Sequence, residues 1–343
     1  MTMSEKVARS ATIFDVARLA GVSHQTVSRV INSHPSVKPE TRARVEEAIL
    51  QLRYQPSPAA RSLVTKRSRT IGLITSDAAD YGPSMVANQF SDAARAARYA
   101  VMTVTVPEAQ PSAARDAVEA LLRQNVEAIV IVVVDVAVAD LANAVETNTP
   151  IVFVDARRSW DPRSTGIDQY NGARLAVRHL LGLGFDTVAH VSGPVRNPDA
   201  IERIRGWADE LAGAGAPHGL RLDGDWSPAS GYAAGIELPV TPGETAVFAA
   251  NDQMALGLIA ALRSRGFSVP RDVSVVGFDD VPEAAYFQPP LTTVHQNFAA
   301  LGRATMDRVV ALLDEGEEPL EPRLIGARLS IRDSTTAAVP VEH

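Results

Sequence analysis

Apolar residues fall along this chain in two different rhythms. Over the first fifty residues they recur at helical spacing: Val16, Leu19 and Ala20, then Val27, Val30 and Ile31, then Val45, Ala48, Ile49 and Leu52. Each set lines one face of a short helix. Thr12-Ile13-Phe14-Asp15 has the form of a capping box with Asp in the usual Glu or Gln place, so a helix starts at Ile13, and Gly21 ends it. Ser23 caps a second helix over His24 to Asn32, and Pro39 with Glu40 suits the first turn of a third. From Thr70 the rhythm changes to strand-length apolar runs at 70–75, 100–106, 128–134, 150–155, 187–193, 245–252 and 273–280, with a last strand over 328–331. Helical patterns such as 172–181 and 253–263 lie between them. Continuous apolar strands alternating with helices predict parallel sheets covered on both faces.

Composition narrows the class. With 343 residues, 46% hydrophobic and 21% charged, the chain has an ample core, and its length suggests about two domains. Disordered, collagenous and disulfide-scaffold classes are excluded. Zero cysteines remove thiol catalysis, thiolate zinc sites and iron–sulfur clusters. The longest apolar run, Ala128 to Val134, is far short of the roughly 18–20 residues of a membrane span. Glu5, Asp15 and several arginines stand where a signal peptide would be apolar. A cytoplasmic protein without a membrane partner is expected.

The net charge of −7 averages two unlike parts: residues 1–70 hold 12 Lys and Arg against 5 Asp and Glu, a balance of +7, which leaves −14 for the rest. A basic module that meets a polyanion, attached to an acidic body, fits this asymmetry. The second helix leaves His24, Gln25, Thr26, Ser28, Arg29 and Asn32 without a core role, at its start and along its outer side. In a helix-turn-helix the second helix enters the major groove, where Gln and Arg can pair with adenine and guanine edges. The rival reading, a helical pair with a merely solvated polar face, accounts less well for the basic charge.

Thr12 to Val30, T-I-F-D-V-A-R-L-A-G-V-S-H-Q-T-V-S-R-V, followed by Asn32 and by R-Y-Q-P-S-P-A-A-R-S-L from Arg53, resembles the head of the lactose/galactose repressor (LacI/GalR) family. The resemblance implies that His24, Gln25 and Arg29 read bases, while Thr12, Ser23, Thr26, Ser28, Asn32 and Tyr54 contact or orient on the phosphate backbone. Pro58 to Val64 resembles the family's hinge helix, with Leu63 as the minor-groove leucine and Ala60 as a groove-facing neighbour; such a wedge unstacks a base step and bends the duplex. Ser57 and Pro58 depart from the family's usual Asn followed by a non-proline residue. The implied organisation is a helix-turn-helix domain over 11–57, a hinge over 58–69 and an effector-binding and dimerisation body over 70–337. Its lobes cover about 70–166 with 297–325, and about 167–296 with 326–337.

Within the body, polar residues gather where strands end: Ser76, Asp77, Asp135, Asp155, Ser192, Asn251, Asp252, Asp279 and Asp280. Ligands of open α/β sheets bind at those ends. The resemblance continues through Gly193 to Trp207, Asp223 to Gly231, Ala250 to Gly257, Ser274 to Asp280 and Pro289 to Phe298. It implies an α/β fold of two doubly wound lobes like those of periplasmic sugar-binding proteins, joined by crossovers near Gly166, Gln296 and Gly326. Asp155, Arg203, Trp226, Asn251 and Asp279 match the family's effector-binding positions, Gln296 and Phe298 line the pocket, and Tyr81, Gly82 and Pro83 border the cleft. The chemistry suits a sugar: carboxylates and an amide accept hydroxyl hydrogens, a guanidinium donates, and an indole covers an apolar pyranose face.

Nucleophile-elbow, Walker, H-E-x-x-H and dinucleotide-binding motifs are absent from the sequence, and the seven histidines lack metal-ligand spacing. No catalysis, metal or cofactor is expected; His179 and His190 read as satisfied near the sheet. The expected function is a sequence-specific repressor of sugar-utilisation genes, released from a near-palindromic operator by a galactoside-like saccharide. It would act as a homodimer, because one head reads one half-site and the sequence after residue 331 holds no leucine-heptad tail of the kind found in tetrameric relatives. A purine- or other corepressor-responsive regulator is the nearest rival, and a free-standing solute-binding protein the remoter one.

Overall fold

The computed structural model describes residues 11–31, 34–54, 67–76, 80–107, 110, 112–155, 157, 161–314 and 323–339. The chain divides into two compact units, 1–68 and 69–343.

Among its described residues the first unit holds three helices, α1 (Ile13–Ala20), α2 (His24–Ile31) and α3 (Pro39–Gln51). The capping box forms as the sequence predicts: Asp15 N–H donates to Thr12 Oγ1 at 3.4 Å, and the Thr12 N–H donates to Asp15 Oδ2 at 3.0 Å. Gly21 turns the chain at φ 64°, a left-handed conformation that glycine adopts without strain. Val16, Ala17, Ala20, Val27, Val30, Val45 and Ala48 form the core. Leu19, expected on that inner face, is instead 49% exposed. The buried stripe of α1 runs through 13, 16, 17 and 20, and Leu19 lies about 120° round the helix from its centre.

The second unit is built on two six-stranded sheets. Sheet 1 has the order β11-β5-β4-β3-β1-β2 and sheet 2 the order β12-β10-β9-β8-β6-β7. The strands are β1 (Thr70–Ser76), β2 (Ala100–Val106), β3 (Ala128–Val132), β4 (Ile151–Val154), β5 (Ser164–Ile167), β6 (Ala189–Ser192), β7 (Arg221–Asp223), β8 (Thr245–Ala249), β9 (Val273–Asp279), β10 (Thr292–His295), β11 (Arg323–Ile325) and β12 (Arg328–Ser330). All pairings are parallel except β10 with β12. Helices α4 (Tyr81–Ala96), α5 (Ala113–Arg123), α6 (Val136–Asn143) and α11 (Phe298–Leu313) belong to lobe 1; α7 (Gln169–Gly182), α8 (Pro198–Gly213), α9 (Pro228–Glu237) and α10 (Asp252–Ser264) belong to lobe 2. Two buried apolar clusters lie in each lobe. The chain passes between sheets at Asp168, at Gln296 and between Ile325 and Arg328.

Four strands were not expected: β5, β7, β10 and β11. β5 and β10 carry Ser164, Thr165, Thr292 and Thr293, which form no apolar run yet are fully buried. Their hydroxyls are satisfied inside: Thr165 Oγ1 bonds Thr305 Oγ1 at 2.8 Å, and Thr292 Oγ1 donates to the Arg332 carbonyl at 3.1 Å. Burial of a hydroxyl costs little once it has a partner. β7 and β11 are three-residue edge strands with weak burial.

Both sheets reverse strand order next to their first strand: β2 and β3 flank β1, and β7 and β8 flank β6. Strand-order reversals leave a crevice at the carboxyl ends. Segments after β1, β3, β6 and β8 therefore face one another across the interval between the lobes.

Candidate functional site: a recognition helix and a two-walled cleft

On the head, α2 presents His24, Gln25 and Arg29 exposed, with Thr26 and Ser28 half-buried beside the inward Val27 and Val30. Ser23 accepts the Thr26 N–H at 3.2 Å and pairs with its hydroxyl at 3.0 Å, so the cap and the start of the helix are fixed together. The His24 ring lies 5.2 Å from Phe14, which is itself exposed at the start of α1. Thr12 stands at the α1 cap, and Tyr54 packs against the head core, half-buried. The expected base-reading positions thus share the free side of one capped helix. Asn32, Ala60 and Leu63 lie outside the described residues.

In the body, a cleft opens between the lobes, and Asp155, Arg203, Trp226, Asn251, Asp279, Gln296 and Phe298 all line it, as do Tyr81, Gly82 and Pro83. Lobe 2 supplies a closed polar circuit. Arg203 Nε donates to Gln169 Oε1 at 2.9 Å, Gln169 Nε2 to Gln296 Oε1 at 2.9 Å, and Gln296 Nε2 to Asp279 Oδ1 at 2.6 Å. Arg203 Nη2 stands 3.6 Å from that same Asp279 oxygen, and Arg203 Nη1 donates to the Ala250 carbonyl. The guanidinium also lies 3.8 Å from the Phe278 ring and 5.3 Å from that of Trp226. Asn251 caps α10 by accepting the Met254 N–H at 2.8 Å, while its amide donates to the Trp226 carbonyl at 3.0 Å.

Two of these residues occupy left-handed backbone, Trp226 at φ 73° and Asp279 at φ 109°. Such strain persists only where the surroundings over-determine it. For Trp226 the surroundings include Gly193, where an added Cβ would come within 2.2 Å of the indole. Burial pushes the Asp279 carboxyl up to about 7 even though Arg203 and Gln296 pull it down. Asp199 is pushed up to about 6 by burial, with Arg203 opposing and Asp155 adding to the rise. Burial also lowers Arg203 from its ordinary value, and Asp279 opposes this.

Lobe 1 brings mainly aliphatic surface, from Val86, Val132, Val133, Val134, Val154, Ile167 and Leu301. Phe298 packs edge-on against Tyr81, with ring centres 5.9 Å apart. Its acids are Asp155, whose Oδ1 accepts the Arg157 N–H at 2.9 Å, and Asp80. The lobes meet beside the mouth: Arg196 binds Asp135 through two bonds of 2.8 and 2.9 Å, and Asn197 Nδ2 donates to the Val134 carbonyl at 3.1 Å.

The other strand-end acids do different work. Asp252 accepts from Thr293 at 2.5 Å and from the Val281 N–H at 2.8 Å, tying β10 to the loop after β9. Asp280 holds Arg332, Ser330 and His295. Gln169, Asn197 and Asp199 are cleft residues that the sequence reading missed. Gln169 is the first helical residue after a crossover out of the unrecognised β5, and finding that strand would have pointed to it. His179 bonds Thr335 at 3.0 Å as expected, but His190 is only half satisfied: Nδ1 meets the Phe248 carbonyl at 2.9 Å and Nε2 has no partner.

A capped two-helix reader on one unit and a two-lobed ligand cleft on the other define a class: DNA-binding regulators that answer to a small molecule. Comparison with known proteins makes this specific. Residues 12–57 match "Bacterial regulatory proteins, lacI family", and residues 177–335 match "Periplasmic binding protein-like domain". The lactose operon repressor of Escherichia coli (strain K12) is 34% identical over 340 residues, covering 97% of this chain and 94% of that one. The transcriptional repressor PurR of Vibrio atlanticus (strain LGP32) is 34% identical over 308 residues, covering 85% and 89%. Among solved structures, the lac repressor dimer bound to operator and the anti-inducer ONPF superposes with a TM-score of 0.87 at 34% identity, covering 96% of this chain and 100% of that one. A transcriptional regulator CelR–cellobiose complex gives 0.66 at 28% identity, covering 94% and 99%. The chain belongs to the lacI family and is a DNA-binding transcriptional repressor. Its described helices include none long and apolar enough to cross a membrane.

Proposed function

We propose that this repressor, a cytoplasmic homodimer, holds a near-palindromic operator of sugar-utilisation genes and lets it go when a galactoside-like saccharide enters the body cleft. The observation that carries the reading is the lining of that cleft: carboxylates at Asp155 and Asp279, amides at Asn251 and Gln296, one guanidinium at Arg203 and the indole of Trp226 around a single cavity. Hydroxyl-rich ligands need many short polar contacts and one flat apolar face. Asp155 comes from lobe 1, while Arg203, Trp226, Asn251 and Asp279 come from lobe 2, so one saccharide would touch both lobes. Its binding lowers operator affinity only if it prefers the lobe arrangement that holds DNA poorly. The solved lac repressor dimer on operator and the cellobiose complex of CelR favour the dimer and the sugar respectively.

The domain assignment follows the same reading: head 11–57, hinge 58–69 with Ala60 and Leu63 facing the minor groove, body 70–337. His24, Gln25 and Arg29 read bases; Thr12, Ser23, Thr26, Ser28, Asn32 and Tyr54 position the head on phosphates. Replacing Arg29 by Ala should cost about 1–3 kcal/mol on the selected operator and much less on unrelated DNA; equal losses on both would remove its base-reading role. The PurR relative favours a second reading, a purine corepressor held by Arg203 and Asp279. Selecting bound fragments from the host genome, then titrating galactosides, glucosides, ribose, guanine and hypoxanthine calorimetrically, separates the two. Heat from a purine and from no saccharide would replace the sugar reading.

A further inference from the structure

The charge of the cleft is one-sided. Among the described lining residues four are acids, Asp80, Asp155, Asp199 and Asp279, and Arg203 is the one cation. A fifth acid, Asp225, lies near enough to Asp80 that, after burial, it helps to raise that carboxyl above its ordinary value. Arg203 cannot offer an open fork to an incoming anion. Its Nε is bonded to Gln169, its Nη1 to the Ala250 carbonyl, its Nη2 leans on Asp279, and its plane is covered by Phe278. At the rim, Arg196 is held by both oxygens of Asp135. Phosphate recognition ordinarily uses a free guanidinium fork or a run of unoccupied N–H groups. A phosphate ester would bring a charge of about −1.5 to −2 into a buried space already surplus in negative charge, where such interactions are poorly screened.

We propose that the cleft selects an uncharged saccharide and rejects its phosphate ester, with Asp80 and Asp199 as the residues that enforce the rejection. The regulator then reads a sugar ahead of the phosphotransfer reaction that consumes it, and the product of that reaction does not signal. This rests on the saccharide reading above.

The test is calorimetry of the full-length protein with matched pairs: galactose and galactose 6-phosphate, ribose and ribose 5-phosphate, lactose and lactose 6-phosphate, cellobiose and cellobiose 6-phosphate. For whichever free sugar binds, the ester should bind at least about 100-fold more weakly. In Asp80→Asn/Asp199→Asn the gap should narrow about tenfold or more through a gain for the ester. In the unmodified protein, raising salt should leave most of the gap in place, because charges in the buried cleft are little screened. An ester that binds as tightly as its parent sugar, or alone, overturns the proposal and leaves the saccharide reading standing. Binding of a purine and of no sugar in either form removes the saccharide reading and the proposal with it.

Discussion

The two walls of the cleft are made of different materials. Lobe 2 presents a circuit of Arg203, Gln169, Gln296 and Asp279 in which each side chain is held by the next, with Trp226 and Asp279 fixed in left-handed backbone. Lobe 1 presents valines, Ile167, Leu301 and Phe298 with two acids set among them. A polar circuit tolerates little displacement, because each lost bond strands a buried partner. An aliphatic wall can slide over an apolar surface at small cost. On the proposed reading, lobe 2 is thus the template that orients a ligand, and lobe 1 the cover that closes on it.

The largest expected effect comes from cutting the circuit. Arg203→Ala strips the buried Asp279 of its countercharge and leaves Gln169 Oε1 and the Ala250 carbonyl without their donor, and should lower stability by about 3–5 kcal/mol in denaturant unfolding, with saccharide heats lost. On the opposite wall Val86→Ala should cost about 1–2 kcal/mol and shift saccharide affinity only a few-fold. Comparable losses of binding from both variants would break the contrast between the walls.

Acid should act through lobe 2. His190, stacked 4.6 Å from Phe248 and 5.3 Å from Trp207, is held down to about 4 by burial, from an ordinary value of 6.5. Its contribution is fully present above pH 6.5 and is lost as pH falls toward about 4, an effect of about 3 kcal/mol across that window. His190→Phe should flatten the acid side of a stability–pH curve; an unchanged slope would place the sensitivity elsewhere.

Gly193→Ala sharpens the template claim, since the new methyl would meet the Trp226 indole. The cost expected from overpacking is about 1–3 kcal/mol, with saccharide affinity reduced and Trp226 fluorescence shifted. The smallest effect belongs to the bridge between lobes. Arg196 is 63% exposed, so Arg196→Ala should change stability by less than about 1 kcal/mol. It should still alter the ligand dependence of lobe closure measured by small-angle scattering, because Arg196 and Asp135 join the two lobes directly.

Much of the architecture is legible from local pattern. The Thr12 box, Gly21 and Ser23 define the head because caps and turns are local chemistry. Strands β3, β4, β8 and β9 announce themselves because both faces are buried; β2 is legible from its apolar run although most of it is exposed. β5 and β10 escape for the opposite reason: Thr165 and Thr292 are buried with partners distant in sequence. The site divides in the same way. Asp155, Asn251 and Asp279 stand at the ends of readable strands, whereas Gln169 and Asp199 matter only through neighbours brought close by the crossovers. Which acid faces the cleft is likewise nonlocal: Asp252 follows Asn251 directly, yet it is turned to Thr293 and Val281.

The most direct test of the account is operator affinity measured against saccharide concentration, in the unmodified protein and in Asp279→Asn, on a fragment selected from the host genome. The account predicts that a saccharide weakens operator binding at least tenfold in the unmodified protein, within the usual span of coupling between sites of about 1–3 kcal/mol. The variant should bind operator normally and show no weakening. A saccharide response that survives in Asp279→Asn, or operator binding that tightens with a purine and ignores every saccharide, would contradict it.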